Sequence, residues 1–597
     1  MLNLLKAIDE PAHPVLSLEV QTNMTKKEIV QIGTFRVLTD HFFHRLFDNP
    51  LTSLEGENTT RIVQVLALIA IPGLLFMLGT IPSYFIFPPN TAPRGYWPRV
   101  GDHYFYVMYA GAVLGAATVF EWDMLFPDFL DILVLTPLPV PARRFFTAKI
   151  AALARFLGIF LIAGGCMGAF FLPLIADEPS VLRHVAAHII AISAGGLFTA
   201  CFFISLQGIL LSLTGEKLFR WTSPVLQAIS LATLLIIVFL LPLISPNLPL
   251  LITTRSHGAY GWFPPFWFLG VYQFLLEGGH TLPAFRDLAA RGGLALLIIL
   301  AFTCASYPLA YWTKTRRAVE GIVQKNTRNW LTDAKDWLLH RVLVLRPSQR
   351  AVYHFISQTL KRAPHHRVYL SLYGGAGLAL LLALTIIFQP SNGHITLGFC
   401  KYGLRCSIPV VAFLAVTGLK AAFLSPVDLR ANWLFAVIGT RPNRNHIAST
   451  LRWTLLRAIG LTIAMLIFAM LLSPTLFPTV LQIAAQLLLL QGLCLLLIDI
   501  FFLRYLSVPF TTPLVYSKRN LAFYAGAFMA LFGPYIWTVV DAGRWIERNL
   551  RHFLGAAAAI LALHFLLQRW QRALINERAS LPEDMDMDEF PQRLGLS

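Results

Sequence analysis

The chain has 597 residues, 56% of them hydrophobic and only 13% charged, with a net charge of +17. Soluble domains carry about 25% charged residues, so this composition excludes an ordinary soluble globular protein and implies a polytopic membrane one. The basic excess does not point to nucleic acid, because Lys and Arg gather in loops between apolar segments, where membrane topology accounts for them.

Met1–Glu10 lacks the apolar core of a cleavable signal peptide, and Met24 offers an alternative start. Over 34–47, Phe35, Leu38, Phe42 and Leu46 recur near helical spacing with His41, His44 and Arg45 among the polar positions. That pattern predicts an interfacial amphipathic helix; a soluble helix packed on a loop is the alternative. Segments long enough to cross about 30 Å at 1.5 Å per residue follow. They are expected at 62–86, 104–120, 148–173, 185–213, 223–244, 289–312, 369–388, 405–424, 451–473, 478–503, 519–539 and 552–568. Basic residues cluster after the second, fourth and sixth of these and place both termini in the cytoplasm. Arg544, Arg548 and Arg551 run against that orientation, partly offset by Asp541 and Glu547.

The expectation is therefore an all-α fold of about 12 transmembrane helices in two parallel six-helix repeats. It divides into a cytoplasmic N-terminal region (1–60), a first half (61–312), a basic linker (313–368), a second half (369–568) and an acidic tail (569–597). The linker carries a second amphipathic stripe, Val352, Phe355, Ile356 and Leu360.

The loop from Glu121 to Lys149 cannot itself be a span. It holds Asp123, Asp128 and Asp131, is broken by Pro137 and Pro139, and closes on Arg143, Arg144 and Lys149. One charge at mid-bilayer costs about 2.5–3.5 kcal/mol even on the lenient insertion scale. The loop is read as a surface element that docks a partner. Asp128 and Asp131 share one helix face at i, i+3 and can meet basic residues, while Pro137 and Pro139 stiffen the exit. Arg143 and Arg144 have the alternative role of anchoring the third span at lipid phosphates. Asp428, Arg430, Arg441 and Arg444 occupy the corresponding place in the second half.

The run LTPLPVPARRFFTAKIAA, with Glu121 ahead of it, resembles the loop between the second and third spans of type-2 ABC exporter permeases. The resemblance implies an acidic residue ending the second span, a short coupling helix, and a basic run opening the third. It also implies that 34–47 is the family's elbow helix and that 255–280 is the outer segment between the fifth and sixth spans. ABC ATPase subunits would be the partners, holding ATP-Mg, with no cofactor on this chain. The setting would be the plasma (inner) membrane, in contact with lipid, with no nucleic acid. Export of an amphiphilic or lipid-like cargo is the expected function, favoured also by the absence of a charged stripe through the spans. The second half departs from the pattern: Thr440–Asn445 lacks the Leu-Pro and paired-arginine run.

No GxxxxGK[ST] run is present, so ATP binding through a P-loop is excluded for this chain, and no catalytic constellation presents itself. His184 and His188, at i and i+4, are read as a satisfied polar pair rather than metal ligands. Lys420 is placed to snorkel, Asp499 lies near Arg504, and Gln482, Gln486 and Gln491 are candidates for interhelical hydrogen bonds. Cys400 and Cys406 fall in a loop placed outside, where pairing is possible in an oxidising compartment. Two other classes remain open. A secondary, ion-gradient transporter shares the two-half layout. A membrane lipid or sugar transferase would draw on His257, Glu277, His280, Arg286 and Asp287. The aromatics around Pro264 and Pro265 read instead as an interfacial or re-entrant element, with the Gly-Trp-Phe-Pro-Pro run as a headgroup-level anchor.

Overall fold

The computed structural model describes residues 26–47, 58–85, 94–122, 124–126, 137, 140–175, 180–213, 216–253, 259–320, 341, 345–391, 394–424, 444–503, 509–510 and 521–580. These residues are helical apart from turns and one β-hairpin. Among them, nine helices are long and apolar enough to cross a membrane: Val65–Tyr84, Tyr96–Phe120, Ala142–Ile175, Val181–Leu213, Pro283–Arg316, Lys401–Leu424, His446–Leu472, Val480–Phe501 and Leu550–Asn576. Their outward faces are apolar as well, with Ile162, Leu297 and Leu561 more than 60% exposed. Side chains of that kind in such number need a lipid, not an aqueous, surround.

Three expected spans differ from the nine. Those at 223–244 and 369–388 fall in the helices Glu216–Phe239 and Pro364–Thr385, whose described apolar stretches are Val225–Phe239 and Leu370–Thr385. The one at 519–539 lies in a helix, Leu521–Arg548, whose side chains are described only from Leu531. The seventh expected span also stops early, because strand β1 (Ile386–Ser391) turns back on β2 (His394–Phe399), with Ile386 opposite Phe399. The intervening Asn392-Gly393 pair, flanked by β-branched and aromatic residues, is the sequence signal for such a hairpin.

The chain forms two compact units, 1–223 with 241–323 and 224–240 with 324–597. In the first, α1 (Lys26–Phe47) and α2 (Asn58–Thr80) lie against α5 (Ala142–Ile175). The short α3 (Pro82–Phe85) continues α2. Helix α4 (Tyr96–Phe120) packs on α5, α6 (Val181–Leu213) and α10 (Pro264–Glu277), and α6 and α10 pack on α11 (Pro283–Glu320). Helix α7 (Glu216–Phe239) runs from this unit into the second, and α8 (Leu241–Ile244) and α9 (Leu248–Thr253) resume the first. Every residue from Val100 to Gly111 of α4 is buried. Pro72 interrupts the hydrogen bonding of α2, and on either side of it the Tyr106 and Tyr109 hydroxyls donate to the carbonyls of Gly73 and Ile69.

In the second unit, α12 (Pro347–Arg362) lies on α15 (Arg444–Leu472), and α13 (Pro364–Thr385) on α14 (Lys401–Leu424). Helix α14 is the hub, touching α15, α16 (Val480–Phe501) and α17 (Leu521–Arg548), and α18 (Leu550–Ser580) closes on α16 and α17. A capping box starts α16: Thr479 Oγ1 accepts from the Gln482 amide, and the Thr479 amide donates to Gln482 Oε1.

Candidate functional site

The end of the first unit that carries the expected docking loop is built on α1. Leu38, Phe42, Phe43 and Leu46 face inward on this helix, so the stripe is rotated from the expected one: Phe35 is exposed and Phe43 takes its place. The buried face packs on Phe145, Ala148, Ala152 and Phe156 of α5. Arg155 Nη1 donates to Asp40 Oδ1 at 2.7 Å, and its guanidinium sits 4.1 Å from the Phe43 ring centre. Lys149 is buried beneath α1 with its ammonium 5.1 Å from the centre of the Phe42 ring.

The expected loop is thus not wholly at the surface. Glu121 ends α4, and its carbonyl accepts from the amides of Met124 and Leu125. Trp122, Leu125 and Phe126 are buried, because the apolar half of EWDMLF faces the bundle. The Gln207 amide donates to the Trp122 carbonyl, and the Tyr307 hydroxyl to the Leu125 carbonyl at 2.9 Å. Pro137 and Arg143 are exposed and Arg144 is half-exposed. Asp128, Asp131 and Pro139 lie outside the described residues, as do Asp428, Arg430 and Arg441; Arg444 opens α15, but its side chain is outside them too. The loop's two roots are therefore anchored on the bundle, while its predicted docking carboxylates fall in the undescribed part.

In the second unit α12 repeats the relation of α1 to its bundle. Val352, Tyr353, Ile356 and Leu360 are buried, the Ser449 hydroxyl donates to the Gln349 carbonyl, and Trp453 Nε1 donates to Ser357 Oγ. Deeper in this unit, Arg405 Nη1 reaches both carboxylate oxygens of Glu547 at 3.0 and 3.2 Å, and Gln486 Nε2 donates to Glu547 at 2.6 Å. Glu547 is therefore a buried bridge joining α14, α16 and α17, not a loop charge offsetting its arginine neighbours. Asp499 has its described partners on α18, where His564 Nδ1 lies at 2.5 Å and the Gln568 amide donates at 3.0 Å. Arg504 is outside the described residues. Lys420 rests against the Phe501 ring. Gln482 serves the capping box, and Gln491 is exposed. Cys400 and Cys406 are both free thiols.

At the other end of α4 the first unit holds a feature that the sequence reading did not assemble. A cavity of about 510 Å3 lies among the ends of α3, α4, α5, α6 and α10. Its lip is basic, with Arg99, Arg183 and His280 exposed, and its floor holds buried His103, His184 and Gln273. Gln273 Nε2 lies 2.8 Å from His103 Nδ1, and the His103 ring stacks on Tyr272 with centroids 4.3 Å apart. His188 is satisfied below the floor, by the Gly165 carbonyl at 3.1 Å and the Tyr272 hydroxyl at 3.3 Å. The nearby Asp102 carboxylate is neutralised by Arg94, bound through two nitrogens at 2.6 and 2.8 Å, and by the Tyr84 hydroxyl.

Among the described residues Glu277 is the one acid on the cavity wall. Burial pushes its carboxyl above the usual range, against the pull of Tyr96 and Arg99. Tyr96 Oη is buried on the same wall, beside the Glu277 carboxyl. The wall is fixed by Gly278, which ends α10 at φ +62; a β-carbon there would collide with the Arg183 guanidinium, which donates to the Leu275 carbonyl. Helix α10 buries Phe266, Phe268 and Leu269, while Trp262 ahead of it is 75% exposed. The signal in the sequence was Arg99, Asp102 and His103 inside an otherwise apolar run.

Among the described residues, nine apolar helices with lipid-type outer faces define a multi-pass membrane protein. Comparison with protein-family models, with curated proteins and with solved structures returns no match.

Proposed function

We propose that the chain is the membrane permease of an ATP-driven ABC exporter for an amphiphilic or lipid-like substrate, with ATP hydrolysed by separate subunits. The observation that carries this reading is the clamp of amphipathic α1 on the first turns of α5, where the 121–149 loop re-enters the bundle. A lever must be rooted firmly at both ends to pass on displacement, and Trp122–Phe126 and Phe145–Lys149 root it. The matching contacts of α12 on α15 support a second, parallel half, so that both termini and both amphipathic helices are cytoplasmic. Purification of the chain with an ATP-binding-cassette partner tests the proposal. Asp128→Lys with Asp131→Lys is expected to abolish co-purification and to lower ATP turnover, and unchanged values would overturn the docking role.

A gradient-driven transporter is the second reading, and the pairing of buried Asp499 with part-exposed His564 favours it. Carboxylate–imidazole pairs inside membranes serve proton relays. Transport in sealed vesicles driven by a proton gradient, without nucleotide or partner, would establish that reading in place of the first.

A further inference from the structure

We infer that the cavity at the α3–α4–α10 end of the first unit is a binding site for the phosphate headgroup of an acyl amphiphile. This goes beyond the exporter reading, since it concerns what the chain binds and not what drives it. Charge comes first. Arg99, Arg183 and His280 ring the lip, His184 lies behind them, and among the described residues Glu277 alone opposes them. Asp102 does not count against the field, because Arg94 holds both its oxygens. Guanidinium groups bind phosphate with directed, charge-assisted hydrogen bonds, and two arginines on separate helices suit a group that accepts from several directions.

The neutral groups point the same way. Tyr96 Oη is buried on the cavity wall beside the Glu277 carboxyl, a neutral donor within the site. With the Gln273 amide donating to Nδ1, His103 carries its proton on Nε2 as a further donor. The apolar half of the ligand follows from Leu172 and Leu276 in the lining. The helix ends that form the lip also turn Leu174 and Leu182 outward, 62% and 79% exposed. Acyl chains leaving the cavity over these residues would stay in apolar surroundings while the headgroup meets the arginines.

The test uses the full chain in dodecyl maltoside and compares dioctanoyl phosphatidic acid, dioctanoylglycerol and inorganic phosphate by microscale thermophoresis. Phosphatidic acid is expected to bind at least about tenfold more tightly than either of the others, as charge-assisted contacts added to apolar burial require. Arg99→Gln with His280→Gln is expected to weaken it by about tenfold, and Glu277→Gln to tighten it by about threefold, since each tenfold step is about 1.4 kcal/mol. A damaged fold cannot mimic a gain, so the Glu277 variant keeps the test decisive. Equal binding of dioctanoylglycerol would overturn the headgroup assignment. Equal binding of inorganic phosphate would overturn the amphiphile, leaving a soluble phosphate site. Unchanged affinity in both variants would overturn the location.

Discussion

At the residue scale the firmest expectation concerns the Glu547 bridge. Its carboxylate is 7% exposed and holds Arg405 and Gln486. Removing one partner of a buried pair leaves the other charge stranded and costs about 3–5 kcal/mol. Arg405→Met is expected to lower thermal stability by that order, whereas Arg405→Met with Glu547→Leu recovers most of it; a thermal-unfolding series of the two variants checks this. Glu277 gives a pH signature. Its carboxyl is raised by burial, so the folded chain holds this proton more tightly than the unfolded one. Its contribution therefore falls as pH rises past the unfolded value of about 4.3. Glu277→Gln is expected to raise Tm relative to the wild type at pH 8 and to leave it near wild type at pH 4. Little of this was legible in the sequence. Arg405 and Glu547 stand 142 positions apart, and nothing in local pattern joins them; for Asp499 the nearby charge in sequence is Arg504, whereas its described partners, His564 and Gln568, lie on α18.

At the scale of elements, α1 is held by packing more than by charge. Phe42 is buried against α5, and Phe42→Ala is expected to cost about 3–5 kcal/mol, as deletion of a core aromatic does. The Asp40–Arg155 pair is about half exposed, so Asp40→Ala is expected to change stability by no more than about 1 kcal/mol. Thermal unfolding of the two variants separates the terms. Gly278→Ala is expected to cost about 1–3 kcal/mol, because the left-handed turn admits no β-carbon without strain and Arg183 occupies the space. Amphipathic stripes were readable for α1 and α12 because surface helices repeat every 3.6 residues. The hairpin at β1 and β2 has its signal in Asn392-Gly393, but the apolar start of β1, 386–388, continues the hydropathy of the seventh expected span. Helix α10 was the opposite case. Its aromatics suit an interface or a core equally, and only its neighbours decide.

For the molecule as a whole, composition sufficed to identify a polytopic membrane protein, and the spacing of charges located most of the helices. Topology is open to direct measurement: a cysteine placed at Arg99 is expected to react with an impermeant maleimide added outside, and one at Pro137 only after permeabilisation. Labelling of both from one side would invalidate the arrangement of α4.

That helix has one more consequence. It is the least apolar of the nine, and 83% of its most apolar stretch is buried by its neighbours. A segment so shielded has little reason to leave the translocon alone. During biogenesis α4 is therefore a dependent passenger: nascent chains ending just after Phe120 should integrate it incompletely, and chains extended through α5 and α6 should integrate it fully.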